Sequence, residues 1–364
     1  VRDAFSEMLF PGVSTVQTRS RYFLFVPWIY RSLDRNHIGT AAGIRVARER
    51  ETGLIEALLR GSDDHEGIIG RYSRQTTKQL PSLIYWGGLG TWSIRRFDGS
   101  SHDYIATLDS RWLAQSRQDD EVGTIGAWHQ GLPEPPHDLL DETTLDLTRD
   151  EAEFLQGRIL TSVPDTYLAH LARDGRVHDA GDWPWAHRLA ATAPVAVADQ
   201  VNHAHLLAVA AWGAALTYND ELSRLLVDDG HQHVGDDYGA LLDQWCDEIG
   251  ALAGEFAAWD RHAFWATVYR QNPRVSGGVR SFVDWWLDLA LTNPARAGRD
   301  AEVRERLRER EAALKGPRAK LANRRARERS PSAQGDDLMS FRWPRVSTIL
   351  GDIHRGLERD AQPA

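Results

Sequence analysis

A chain of 364 residues is long enough to bury a sizeable core and to form one to three domains. Its single cysteine excludes a disulfide framework and a cysteine-rich zinc site, which fits a reducing, cytoplasmic setting, and neither a signal peptide nor a membrane span can be read in it. The net charge of −9 argues against nonspecific coating of nucleic acid, yet residues 304 to 329 carry eleven Arg/Lys and four Glu, a segment of +7 on a remainder of −16.

Residues 2 to 10 read as a short helix stopped by Pro11-Gly12. Ser14 and Gln17 have the spacing of a capping box and predict a helix over about 15 to 35. Tyr22 to Tyr30 is apolar or aromatic on every side, so this helix must be wrapped by other elements. It is far shorter than the ~20 residues of a bilayer span. Pro27 predicts a kink. Arg19 and Arg21 stand about 200° apart on a helix. One is expected to snorkel to solvent and the other to pair inside. A second amphipathic helix follows over about 42 to 60 and ends at Gly61.

Residues 81 to 97 carry the first candidate chemistry. Pro81 suits a first helical turn. Ile84, Gly88 and Ile94 fall at the small, glycine and aliphatic positions of a helix-turn-helix pattern, with Arg95 and Arg96 ending the recognition helix. Ile84 departs from the alanine preferred there. The alternative is a packed aromatic turn broken by glycine. A helix over 100 to 116 follows, and the glycine- and proline-containing stretch 117 to 143 is the expected boundary.

The second half reads as helical. Thr148 and Glu151 form a capping box that opens a helix to about 160, and another runs to about 173. Small residues from Ala208 to Ala215 allow close approach to a long helix over about 195 to 227. Amphipathic segments occupy 237–257, 260–270 and 277–291. The charged helix 300–315 has a thin seam of Val303, Leu307 and Leu314, and Pro317 stops it. An Arg-rich, then Ser/Gly-rich, mobile stretch is expected to about 335. A last helix to Leu357 is apolar at Val346, Ile349, Leu350 and Ile353. The expected fold is mainly α: a multi-helix assembly with an N-terminal helical domain (1–120), a larger C-terminal bundle (144–295), a charged helix and linker (296–337) and a docked C-terminal helix (338–364). Fourteen tryptophans, well above ordinary usage, predict large buried aromatic area and interfaces.

The runs Arg2 to Tyr30, Leu80 to Leu89, Phe341-Arg-Trp-Pro344 and Asp352-Ile-His354 resemble an uncharacterised bacterial family, domain of unknown function 6361, over nearly the whole chain. The resemblance implies no catalytic residues. It implies gene neighbourhoods of anti-phage and restriction-like systems, and a family start upstream of Val1.

Among motifs that carry chemistry, a Walker A loop, a dinucleotide glycine pattern, His-Glu-x-x-His and Gly-x-Ser-x-Gly are all missing from the sequence. His231 and His233, with Asp236 and neighbouring aspartates, form the best metal candidate, because residues two apart in an extended segment point one way. A polar turn between helices is the alternative. His203 and His205 share that spacing on a helix, where they diverge. Cys246 reads as a small core residue. Arg318, Lys320, Arg324, Arg325, Arg327 and Arg329 are candidates for salt-dependent phosphate contact, or else a solvated linker.

The functional expectation is a non-enzymatic helical adaptor, without cofactor or membrane contact. Its expected partners are proteins of a nucleic-acid-processing or defence complex, with DNA or RNA beside them. The alternatives are a sequence-reading DNA-binding protein using residues 81–97 and a metal-dependent hydrolase using the 228–237 loop.

Overall fold

The computed structural model describes residues 1–117, 126–174, 181–231, 237–333, 335 and 337–359. Among them the protein is mainly α, with sixteen α-helices and no β-strand. In chain order these are α1 (Arg2–Leu9), α2 (Tyr22–Arg35), α3 (Thr40–Gly61), α4 (Pro81–Thr91), α5 (Ser101–Ala106), α6 (Leu108–Arg117), α7 (Arg149–Ser162) and α8 (Tyr167–Asp174). Then come α9 (Val195–Asp228), α10 (Tyr238–Ala251), α11 (Ala253–Ala258), α12 (Arg261–Gln271), α13 (Gly277–Thr292), α14 (Ala301–Lys315), α15 (Arg324–Arg329) and α16 (Trp343–Leu357). The chain folds as two compact units, Ser6–Ala198 with Arg342–Ala364, and Val1–Phe5 with Asp199–Phe341.

The first unit is built on α2. Every residue from Tyr22 to Tyr30 is buried, as a helix without a polar face requires. α3 and α4 pack on it. Phe23 stacks on Trp92 with ring centroids 4.0 Å apart, and Trp28 donates its indole N–H to the Pro133 carbonyl at 2.7 Å. Each fully buried ring contributes roughly 1.5–3 kcal/mol of transfer free energy.

The helix starts at Tyr22, seven residues after the expected start. The Gln17 side chain accepts from the Ser14 amide at 3.1 Å, but its amide nitrogen is drawn to the Gly12 carbonyl at 3.0 Å. The Ser-x-x-Gln pattern thus closes a turn instead of capping a helix. Of Arg19 and Arg21, one pairs inside as expected, but the other does not simply snorkel to solvent. Arg21 forms a fork with Glu151, and Arg19 binds the buried Asp352.

The expected boundary over 117–143 is not where the chain divides. Its described part is pinned to this unit by Trp128, whose indole donates to the Tyr104 hydroxyl at 2.8 Å, and by Pro133. The helix expected over 100–116 is two, α5 and α6, separated at Thr107. α16 ends at Leu357, as its apolar stripe predicts, and lies against α7, where Gly356 admits Ala152 and Leu147.

The second unit is organised on α9. Its small residues seat two tryptophans. A side chain at Gly213 would collide with the Trp245 ring. The indoles of Trp245 and Trp286 donate to the carbonyls of Val209 (2.8 Å) and Ala210 (2.7 Å). α14 supplements its thin apolar seam with charge. The buried Glu221 of α9 accepts from Arg304 (3.1 Å) and Arg308 (2.9 Å). Leu307 joins Leu222, Leu226 and Leu321 in a small core, whereas Leu314 is exposed.

Candidate nucleic-acid interface

The Arg-rich segment is folded. After Pro317 the chain turns, Leu321 enters the core, and Asn323 caps α15 by accepting from the Arg325 amide at 3.1 Å. The expectation of a mobile stretch fails here because two of its cations are anchors. Arg327 is buried, paired with Asp229 at 2.8 Å, and donates to the Lys320 carbonyl at 2.8 Å. Lys320 is buried as well and donates to the Ser330 carbonyl at 2.8 Å. Burial pushes its ammonium below the ordinary lysine range. Arg324 is exposed and shared between Glu328 (2.8 Å) and Asp229 (3.4 Å). Arg318, Arg325 and Arg329 are exposed, with no carboxylate partner among the described residues. The segment therefore divides into an inner set that fastens it and an outer set that faces solvent.

Arg95 and Arg96 do not end a recognition helix. α4 stops at Thr91, and Ser93 takes a left-handed φ of 53°. Arg95 then pairs as an isolated antiparallel bridge with Trp128. Gly88 serves a different end from the turn of a DNA reader. A side chain there would strike the Gly12 carbonyl and the Phe23 ring, so it is a packing glycine inside α4. The Arg95 guanidinium donates to the Phe97 and Gly99 carbonyls and lies 5.2 Å from the Trp86 ring. Arg96 is exposed beyond the bridge. The packed aromatic turn is the form observed.

Of the metal candidates, His233 and Asp236 lie outside the described residues. His231 follows α9, and its neighbours already have work: Asp228 pairs with Arg224 (3.0 Å), Asp229 with Arg327, and Asp237 caps α10. Among the described residues no group of three His, Cys, Asp or Glu is placed to hold a metal ion. His203 accepts the Trp259 indole N–H on Nδ1 at 2.8 Å. Burial pushes the Cys246 thiol up, away from reactivity.

Reading along the chain missed the buried carboxylates Glu51, Glu221, Glu311 and Asp352, and saw Glu151 only as a cap and not as the partner of Arg21. One signal was available. Asp352 borders the apolar stripe of α16 between Ile349 and Ile353, a position where a lone charge requires a partner.

Fold and surface together define a mainly α protein, built on aromatic helices and buried Arg–carboxylate pairs, with a cationic edge on the second unit. The chain belongs to the family of unknown function DUF6361, whose model matches residues 1–356. No curated protein and no solved structure matches it. Among the described residues no helix is long and apolar enough to cross a membrane.

Proposed function

We propose that this protein is a non-enzymatic helical adaptor that works beside nucleic-acid-processing partners and contacts phosphates through the outer arginines of its basic segment. The observation that carries this reading is the division of that segment. Arg327 and Lys320 hold it against an acidic body, and Arg318, Arg324, Arg325 and Arg329 stand outward on a rigid support. Fixed cations on a folded edge bind phosphates without the cost of ordering a tail. The same proposal sets the protein among anti-phage or restriction-like partners. Titration of labelled duplex at several salt concentrations tests the reading. Four phosphate contacts predict a slope of log K against log salt near −3.5, and changing Arg325 and Arg329 to Gln should flatten it by about 2. An unchanged slope, or no binding by the parent at low salt, would overturn the proposal.

A further inference from the structure

The first unit contains a polar cleft of about 1020 Å³, walled by the loop after α3, the entry to α2 and one face of α16. Arg19 lines it, held by constraints that have no structural use for its outer nitrogens. Its Nε donates to both oxygens of Asp352, at 3.0 and 2.9 Å. Asp352 is 3% exposed and also takes the Ser20 amide at 2.9 Å and an Arg355 Nη. Beneath the Arg19 stem lies Gly67, at φ 82°, where a Cβ would come within 2.6 Å of Cγ. Thr18 ties that glycine's carbonyl at 2.7 Å. The Nη groups of Arg19 have no hydrogen bond among the described residues. Besides Asp352, the carboxylate of Asp146 stands 3.9 Å from Nη2 and is paired with Arg359 at 2.7 Å. A buried carboxylate thus presents a guanidinium to the cleft with its donors unspent.

Arg345 and Arg355 line the same cleft from α16, ten residues and so about 15 Å apart along the helix. Tyr72 lies across the loop, 87% exposed and the most exposed of the large apolar side chains among the described residues, with the Arg71 guanidinium 4.6 Å from its ring centroid. An exposed flat ring beside a row of guanidiniums is the arrangement that takes a base on the ring and phosphates on the cations.

We propose that this cleft binds a nucleotide unit, free or within a single strand, with phosphate on Arg19, Arg345 and Arg355 and the base stacked on Tyr72. The exposed Asp63, Asp64 and Glu66 repel phosphate from the loop side and direct it toward α16; they also accept hydrogen bonds from sugar hydroxyls. The site is in the unit that does not contain α15 and does not depend on that helix.

Fluorescence anisotropy of the full chain tests this with a labelled oligothymidylate and, separately, a fluorescent adenine nucleotide. Both Tyr72→Ala and the double change Arg345→Gln, Arg355→Gln are chosen because these side chains are not core residues. Tyr72→Ala should weaken binding roughly ten-fold with the salt slope unchanged. The double change should flatten the oligothymidylate slope by about 1.4. Binding of the oligothymidylate alone assigns a strand, and binding of the adenine nucleotide assigns a free nucleotide. The proposal is overturned if neither probe binds at low salt, or if both variants bind as the parent does. It is also overturned if only the Arg325→Gln, Arg329→Gln protein loses affinity, an outcome that leaves the adaptor reading standing.

Discussion

Arg21, at the entry to α2, and Glu151, in the first turn of α7, meet as a buried fork, with Nε to Oε2 at 3.0 Å and Nη2 to Oε1 at 2.8 Å. Glu151 also completes the α7 capping box by accepting the Thr148 amide at 3.0 Å. One carboxylate thus starts one helix and ties down another. Truncating either partner leaves a charge buried alone, so Arg21→Met or Glu151→Leu should each cost about 3–5 kcal/mol in urea unfolding. Arg21→Lys should recover little, because an ammonium cannot reproduce the fork. A loss under 1 kcal/mol for both single changes would mean that solvent reaches the pair.

Phe25 is fully buried at the middle of α2, edge-on to both Tyr22 and Trp28. Both rings are fixed on the same rigid helix, with Tyr22 held by its hydroxyl at Ile69 and Trp28 by its indole at Pro133, so they cannot both move into the gap. Phe25→Ala should therefore cost about 3–5 kcal/mol in denaturant melts. A loss below 1 kcal/mol would show the site collapsing onto the cavity.

What could be read in advance follows from the range of the forces involved. The α7 capping box and the end of α16 rest on residues within one or two turns of each other, and both were legible in the chain. The start of α2 was not, because Gln17 is diverted to Gly12 in a packed turn. The pairs Arg19–Asp352 and Arg21–Glu151 join residues far apart in sequence, and spacing cannot reveal them. The basic segment was visible as charge. Its inner and outer faces were not, since Asp229, which holds Arg327, lies 98 residues earlier, just past the end of α9.

Glu51 gives a pH signature. It is fully buried on α3 and accepts from the Ser82 amide (2.8 Å) and hydroxyl (2.9 Å), with the Tyr30 hydroxyl at 3.5 Å. Burial raises its carboxyl from the ordinary 4.5 to about 7, against the lowering effect of those hydrogen bonds. The folded state therefore holds a proton that the unfolded state releases. The associated stability is full below pH 4.5 and is lost as pH rises through 7, a total on the order of 3 kcal/mol. Glu51→Gln, neutral throughout, should gain stability relative to the parent between pH 5 and 8 by up to about that amount. Urea midpoints across this range check it, and parallel curves for the two proteins would refute it.

The two faces of α15 make opposite predictions for neighbouring arginines. Arg327 and Asp229 are both largely buried, so Arg327→Ala leaves that carboxylate only the exposed Arg324, at 3.4 Å, and frees the Lys320 and Leu321 carbonyls as well. Its expected cost is about 3–5 kcal/mol, with α15 released and Leu321 withdrawn from the small core. The double change Arg327→Leu, Asp229→Leu removes both charges and should recover much of that loss, since the penalty comes mainly from the carboxylate left without its close buried partner. Arg325→Ala, two residues earlier and exposed, should change stability by less than about 0.5 kcal/mol. Phosphate affinity should move the other way: Arg325→Ala lowers the salt slope by about 0.9 for duplex and leaves the fold intact. Urea melts and salt titrations on the same three proteins separate the cases. If Arg327→Ala proves as stable as Arg325→Ala, the segment is not anchored by Asp229. The outer arginines would then have no rigid support, and the phosphate-binding proposal would lose its physical basis.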